Sequence, residues 1–150
     1  MRMNCAAVLG LALIPALCAF ADSEKKVQMK DLPPAVQQAV KEQSQGSTLR
    51  GLAKEVEKGK TTYEAELTVN GHGKDVSFDA TGKVVSVEEE VTLESLPEAA
   101  RTAIQKAAGT GKVKKVESVT ENGTSFYEAA ITKGGKASEL KVDAKGAVVK

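Results

Sequence analysis

Residues 62–69 alternate in character. Tyr63, Ala65, Leu67 and Val69 fall on one phase, and Thr62, Glu64, Glu66 and Thr68 on the other. A two-residue period is the mark of a strand that buries one face and wets the other. The same reading predicts strands over 52–57, 61–69, 74–79 and 83–89, and again over 116–121, 125–133, 137–143 and 147–150. Lys58-Gly59, Asn70-Gly71, Asn122-Gly123 and Gly134-Gly135 separate neighbouring runs; such pairs supply the positive φ that tight hairpins need. Links this short join antiparallel neighbours, so a meander is expected.

Two stretches carry a different period. Ala35, Val36, Ala39 and Val40 share one face of a helix, and Ala99, Ala100, Ala103 and Ile104 copy them. Pro33 and Pro97 suit a first helical turn, where a missing N–H costs nothing. Asp31 and Ser95 stand at plausible N-cap positions, with Leu32 and Leu96 as the alternatives, because a residue before proline avoids the helical region. Gln45-Gly46 and Gly109-Thr110-Gly111 are expected to end the helices.

These elements occur twice. Leu32-Pro33, Tyr63-Glu64-Ala65 and Asp79-Ala80 return as Leu96-Pro97, Tyr127-Glu128-Ala129 and Asp143-Ala144 at a constant offset of 64 (96 − 32, 127 − 63, 143 − 79). A gapless repeat sets the architecture. The expected fold class is α+β: two tandem units, each one short helix packed on a four-stranded antiparallel sheet. The units are placed at residues 22–90 and 91–150, close-joined, with Asp22 to Lys26 as a charged, mobile tail. A lone unit of this size buries little, so the two should pack as one body.

Residues 1–21 are set apart from the folded part. An almost wholly apolar run from Cys5 to Phe20 follows a short start with one charge, and Ala19-Phe20-Ala21 precedes polar Asp22. That is the plan of a secretory signal peptide with cleavage after Ala21. The competing reading is a membrane anchor, disfavoured by Pro15 and by the lack of a basic flank. Leu17 before Cys18 disfavours lipidation. The expected location is periplasmic or secreted, with no stable membrane anchor. Removal takes both cysteines, so packing alone must hold the mature chain. It also removes Arg2, leaving 20 bases against 20 acids. That balance excludes the basic excess of a nucleic-acid binder.

Catalytic and metal chemistry find little support. His72 is the one histidine, lies in a turn, and has no second imidazole to share a metal with. No nucleophile turn of the Gly-x-Ser-x-Gly kind is present. Asp79 and Asp143 could pair for acid–base work, but Asp-Ala-x-Gly is what a type I turn with a following glycine requires. Tyr63 and Tyr127 read as half-buried core. Glu88-Glu89-Glu90 and the Lys112, Lys114 and Lys115 group read as solvated edges. Asn122-Gly123-Thr124 has glycosylation spacing but coincides with a hairpin turn. Phe126 stands where the first repeat has Thr62, on the polar phase of its strand. It is either a partner anchor or a side chain covered by the other unit.

Leu-Pro-x-Ala, Tyr-Glu-Ala and a closing Asp-Ala-x-Gly-x-Val-Val, in that order and twice over, resemble the PepSY-like family of secreted bacterial domains, described as β-lactamase-inhibitor-like. The resemblance implies a helix-plus-four-strand unit and a non-enzymatic role outside the cytoplasm. It also implies a protein partner, with an extracytoplasmic hydrolase as the candidate, engaged or inhibited through an exposed sheet face. The chain departs from the β-lactamase inhibitor protein in having no disulfides and only four aromatics after residue 21: Tyr63, Phe78, Phe126 and Tyr127. No cofactor is expected. The candidate partner-binding residues are the outward positions Thr62, Glu64, Glu66, Phe126, Glu128 and Ala130. The alternative is a structural or stress-related envelope module that binds ions or small ligands weakly.

Overall fold

The computed structural model describes residues 23–149; the expected signal peptide lies outside them. The elements run β1 (Ser23–Lys26), α1 (Pro34–Gln43), β2 (Thr48–Glu57), β3 (Lys60–Val69), β4 (His72–Phe78), β5 (Val84–Glu90), α2 (Glu98–Ala108), β6 (Lys112–Glu121), β7 (Thr124–Lys133) and β8 (Lys136–Val142). All eight strands form one antiparallel sheet in chain order. Each helix crosses from one strand to its immediate neighbour, so the meander is unbroken.

This differs from two separate four-stranded sheets. β5 pairs with β4 on one side and with β6 on the other, which fuses both halves into a single sheet. Ser23–Lys26, expected as a mobile tail, is an edge strand on β2. Its register explains why. Ser23 faces Val56 just as Val87, 64 positions on, faces Thr120. Those four residues are the first copy of the end of β5, and their charged side chains hid the equivalence. Of the strand expected over 147–150, the described residues 147–149 show one bridge, Val142 with Val148, which repeats the pairing of Phe78 with Val84.

The hairpin chemistry is as the sequence implies. Lys58-Gly59, Asn70-Gly71, Asn122-Gly123 and Gly134-Gly135 each place two successive residues at positive φ. Such turns match the natural twist of their strands. Both helices are capped two residues after Asp31 and Ser95, and one residue after the alternatives Leu32 and Leu96. Pro33 and Pro97 are themselves the N-caps, and the Pro33 and Pro97 carbonyls accept the first helical bonds, from Gln37 and Arg101. Asp31 and Ser95 instead end short 3-10 turns over 29–31 and 93–95.

One face of the sheet carries the helices. Val36 and Val40 of α1 are buried with Leu52, Ala65, Leu67, Val76 and Phe78. Ala100, Ile104 and Ala108 of α2 are buried with Val116, Ala129, Ile131 and Val142. The two cores share no residue. Tyr63 and Tyr127 lie half-buried at their margins, as their phase requires.

The repeated motifs meet in space. Gly82 closes the Asp79 turn beneath the start of α1, and a methyl group there would stand 2.6 Å from the Ala35 carbonyl oxygen. Gly146 sits at the same distance from the Ala99 carbonyl oxygen. Leu-Pro-x-Ala and Asp-Ala-x-Gly thus recur together because one turn locks the other's helix. Asp79 Oδ1 accepts bonds from the Thr81 and Lys83 N–H groups at 2.8 and 3.2 Å, and Asp143 Oδ1 does the same for Lys145 and Ala147. Both aspartates build turns, as expected, and do not share a cleft.

Candidate functional site

The face away from the helices is built by the second phase of each strand. Thr62, Glu64 and Glu66 stand on it from β3, and Phe126, Glu128 and Ala130 from β7. Cross-strand register aligns these positions in rows. One row runs Glu66–Asp75–Glu88–Val119–Phe126 across β3 to β7. The next runs Glu90–Glu117–Glu128–Lys141 across β5 to β8. Each row therefore opposes three carboxylates directly, an arrangement that disfavours pairing unless cations offset it.

Three cations do so in part. Lys115 Nζ lies 2.6 Å from Glu117 Oε1, Lys141 Nζ 3.0 Å from Glu128 Oε2, and Arg50 3.4 Å from Asp75 Oδ1. Burial pulls the Lys115 ammonium down, but its bond to Glu117 and the carboxylates nearby outweigh this and raise it. The bond to Glu128 raises Lys141.

The remaining acids show the strain of crowding. Glu64 is half-buried, and its carboxyl is pushed up to about 7, first by burial and then by Glu55, Asp75, Glu88 and Glu66. Glu88 is raised by burial and then by Glu117, Glu128 and Asp75. Asp75 is raised because burial outweighs Lys115 and Arg50. Glu55 is raised by burial with help from Glu24 and Glu57. Burial disfavours a carboxylate, and like charge adds to it.

A cavity of about 250 Å³ opens on this face. Its lining draws on every strand from β2 to β8, including Glu55, Thr62, Glu88, Phe126, Glu128 and Lys141. Seven flat strands would span about 29 Å, so the sheet must curl around the hollow. Phe126 is 6 % exposed and Val119 3 %, and the two face each other across β6 and β7. Lys141 Nζ stands 5.4 Å from the Phe126 ring centroid, within the range of a cation–π contact.

Of the six candidates, Thr62, Phe126 and Glu128 line the cavity, while Glu64, Glu66 and Ala130 share the face without lining it. Phe126 forms floor rather than a projecting anchor. Sequence reasoning missed Asp75, Glu88, Val119 and Lys141. A signal existed: Val119 is an apolar residue on the wet phase of β6, placed to oppose Phe126 across the hairpin. Among the described residues no group of three His, Cys, Asp or Glu side chains could hold a metal ion, and no helix is long and apolar enough to cross a membrane.

A helix-bearing antiparallel sheet whose other face is hollow and charged defines a class of α+β module with a large open surface. The chain belongs to the PepSY-like family, described as "Putative beta-lactamase-inhibitor-like, PepSY-like", which matches residues 21–83 and 61–150. No curated protein sequence matches it. Among solved structures it is similar to a BLIP-like protein from Bacteroides fragilis, at 23 % identity and a TM-score of 0.60 over 79 % of this chain and 84 % of that one. A DUF2874 family protein from Bacteroides ovatus is similar at 21 % identity and a TM-score of 0.62, over 79 % and 85 % of the two chains. A structure from Bacteroides eggerthii, described as periplasmic, is similar at 22 % identity and a TM-score of 0.67, over 79 % and 86 %. At these identities the likeness is one of fold.

Proposed function

We propose that this protein is a non-catalytic periplasmic binding module that engages a protein partner through the open face of its sheet. The observation that carries the reading is the cavity: a charged hollow with an apolar floor of Phe126 and Val119, lined from both halves of the chain. The helix side, by contrast, is spent on the two cores. The inhibitor-like family description supports a hydrolase as the partner. The periplasmic description of a structural neighbour supports export, with removal of residues 1–21.

Face-specific photo-cross-linking tests this. A photoreactive residue replaces Thr62 or Ala130 on the open face, and Gln38 or Thr102 on the helices, in protein exported to its native envelope. The reading predicts a discrete adduct from the first pair and none from the second. Adducts from the helix positions alone, or equally from both sides, would contradict it. N-terminal sequencing of the exported protein should begin at Asp22.

A further inference from the structure

The two cores share no residue, and one ladder, β5 with β6, joins the two halves of the sheet. That ladder pairs Ser86–Glu121, Val87–Thr120, Glu88–Val119, Glu89–Ser118 and Glu90–Glu117. Five of these ten residues are glutamates and none is basic. The seam pairs five positions, as many as β4 with β5, while β2 with β3 and β6 with β7 each pair nine. The join is thus a short ladder, the one that ties the halves together, and its residues carry like charge with no base among them.

We propose that the β5–β6 seam is a proton-responsive hinge, which tightens when its carboxylates are neutralised and loosens when they ionise. The groups facing Glu88 and Glu90 come from every strand around them. Asp75 lies across on β4, Glu117, Glu121 and Lys115 stand on β6, and Glu128 and Lys141 on β7 and β8. Glu55, Glu64, Glu66 and Arg50 complete the surround on β2 and β3. Lys115, Lys141 and Arg50 are already paired with Glu117, Glu128 and Asp75, so among the described residues Glu88 and Glu90 form no ion pair, and Lys115 offsets only part of the charge around Glu88. Glu90 Oε2 accepts the Gly73 N–H at 3.3 Å.

The consequence reaches the cavity. Its walls come from both halves, Glu55 and Thr62 on one side and Phe126, Glu128 and Lys141 on the other. The angle at the seam therefore sets the width of the hollow. Burial and like charge raise the Glu88 carboxyl, and that of Glu64 is pushed up to about 7, so the response lies above the ordinary carboxylate range. Ionised, the acids repel across the hollow and open it; protonated, they let the sheet curl further.

Amide hydrogen exchange followed by NMR tests the hinge, with rates corrected for intrinsic pH dependence. The reference protein carries His72→Gln, so that every variant compared lacks the imidazole. Protection of the β5–β6 amides, taken relative to those of β2–β3 and β6–β7, should fall about tenfold between pH 5 and pH 8. Glu88→Gln with Glu90→Gln should abolish that relative fall and leave protection high at both values. Lys141→Gln, which removes a counter-charge, should deepen it. A relative protection independent of pH in the reference protein, or a pH response that survives the double variant, would overturn the proposal.

Discussion

Gly82 and Gly146 show how a single position can hold a motif together. Their φ values of 81° and 78° lie where a side chain is strained, and the Ala35 and Ala99 carbonyls leave no room for one. Strain of about 1–3 kcal/mol adds to overpacking of similar size. Gly82→Ala and Gly146→Ala should each cost about 2–4 kcal/mol in urea unfolding. Gly71→Ala is the control, since its φ is also positive but nothing lies within 4 Å; it should cost about 1 kcal/mol. The turn chemistry was legible at this scale because Asp, Asn and Gly report their own backbone. Asp79 is held below the usual carboxylate range, chiefly by the Thr81 hydroxyl at 2.5 Å and then by backbone N–H groups. A depressed carboxyl contributes stability above its unfolded value of 3.8 and loses it as the pH falls through the folded one. Asp79→Asn should therefore lower the Tm at pH 7, with the deficit shrinking in acid below that value. Glu64 has the opposite sign. Its folded carboxyl is raised from 4.5 to about 7, so its cost develops as the pH rises through that window and is complete above it. The full shift corresponds to about 3 kcal/mol; partial solvation reduces this. Glu64→Gln should stabilise by on the order of 1 kcal/mol at pH 8 and by nothing below pH 4, as denaturation at the two values would show.

Elements were legible where one periodicity ran unopposed. The alternation of β3 and β7 predicted their ends to within a residue. β2 was read as starting at Leu52 but begins at Thr48, and β6 was read from Val116 but begins at Lys112. In both a register shift explains the miss, between Leu49 and Gly51 and between Val113 and Lys115. A bulge changes which face each residue takes, so the two-residue period breaks. β1 was invisible for another reason: Ser23–Lys26 is exposed throughout and has no apolar phase, and only its register against β2 identifies it. Of the expected helix faces, Val36, Val40, Ala100 and Ile104 are buried and Ala39 and Ala103 pack against the cores, whereas Ala35 and Ala99 are exposed. Ile104 is the largest fully buried side chain of α2, so Ile104→Ala should cost about 2–5 kcal/mol. Thr102→Ala, on the exposed side of the same helix, should change stability by less than about 0.5 kcal/mol. Chemical denaturation of the pair separates packing from helix propensity.

At the scale of the whole molecule, the repeat predicted two helix-on-sheet units packed as one body; what it did not show is that one continuous sheet joins them over two separate cores. Nothing in Val84–Glu90 announces a strand bonded on both sides, because its end is a run of glutamates that looks like a solvated edge. The same run hid Glu88 from the candidate site, while Thr62, Phe126 and Glu128 were visible through their phase on strands of clear period. Burial of Phe126 was beyond the reach of sequence, since it depends on the curl that brings β8 and Lys141 over the ring. Cavity, carboxylate rows and hinge all require that β5 and β6 be hydrogen-bonded neighbours. Inter-strand nuclear Overhauser effects in the isotopically labelled mature protein test that most directly. Cross-peaks connecting Ser86 with Glu121 through Glu90 with Glu117 are predicted at pH 5, in one register. Their absence, with the contacts within each half intact, would mean two independent sheets and would contradict the account.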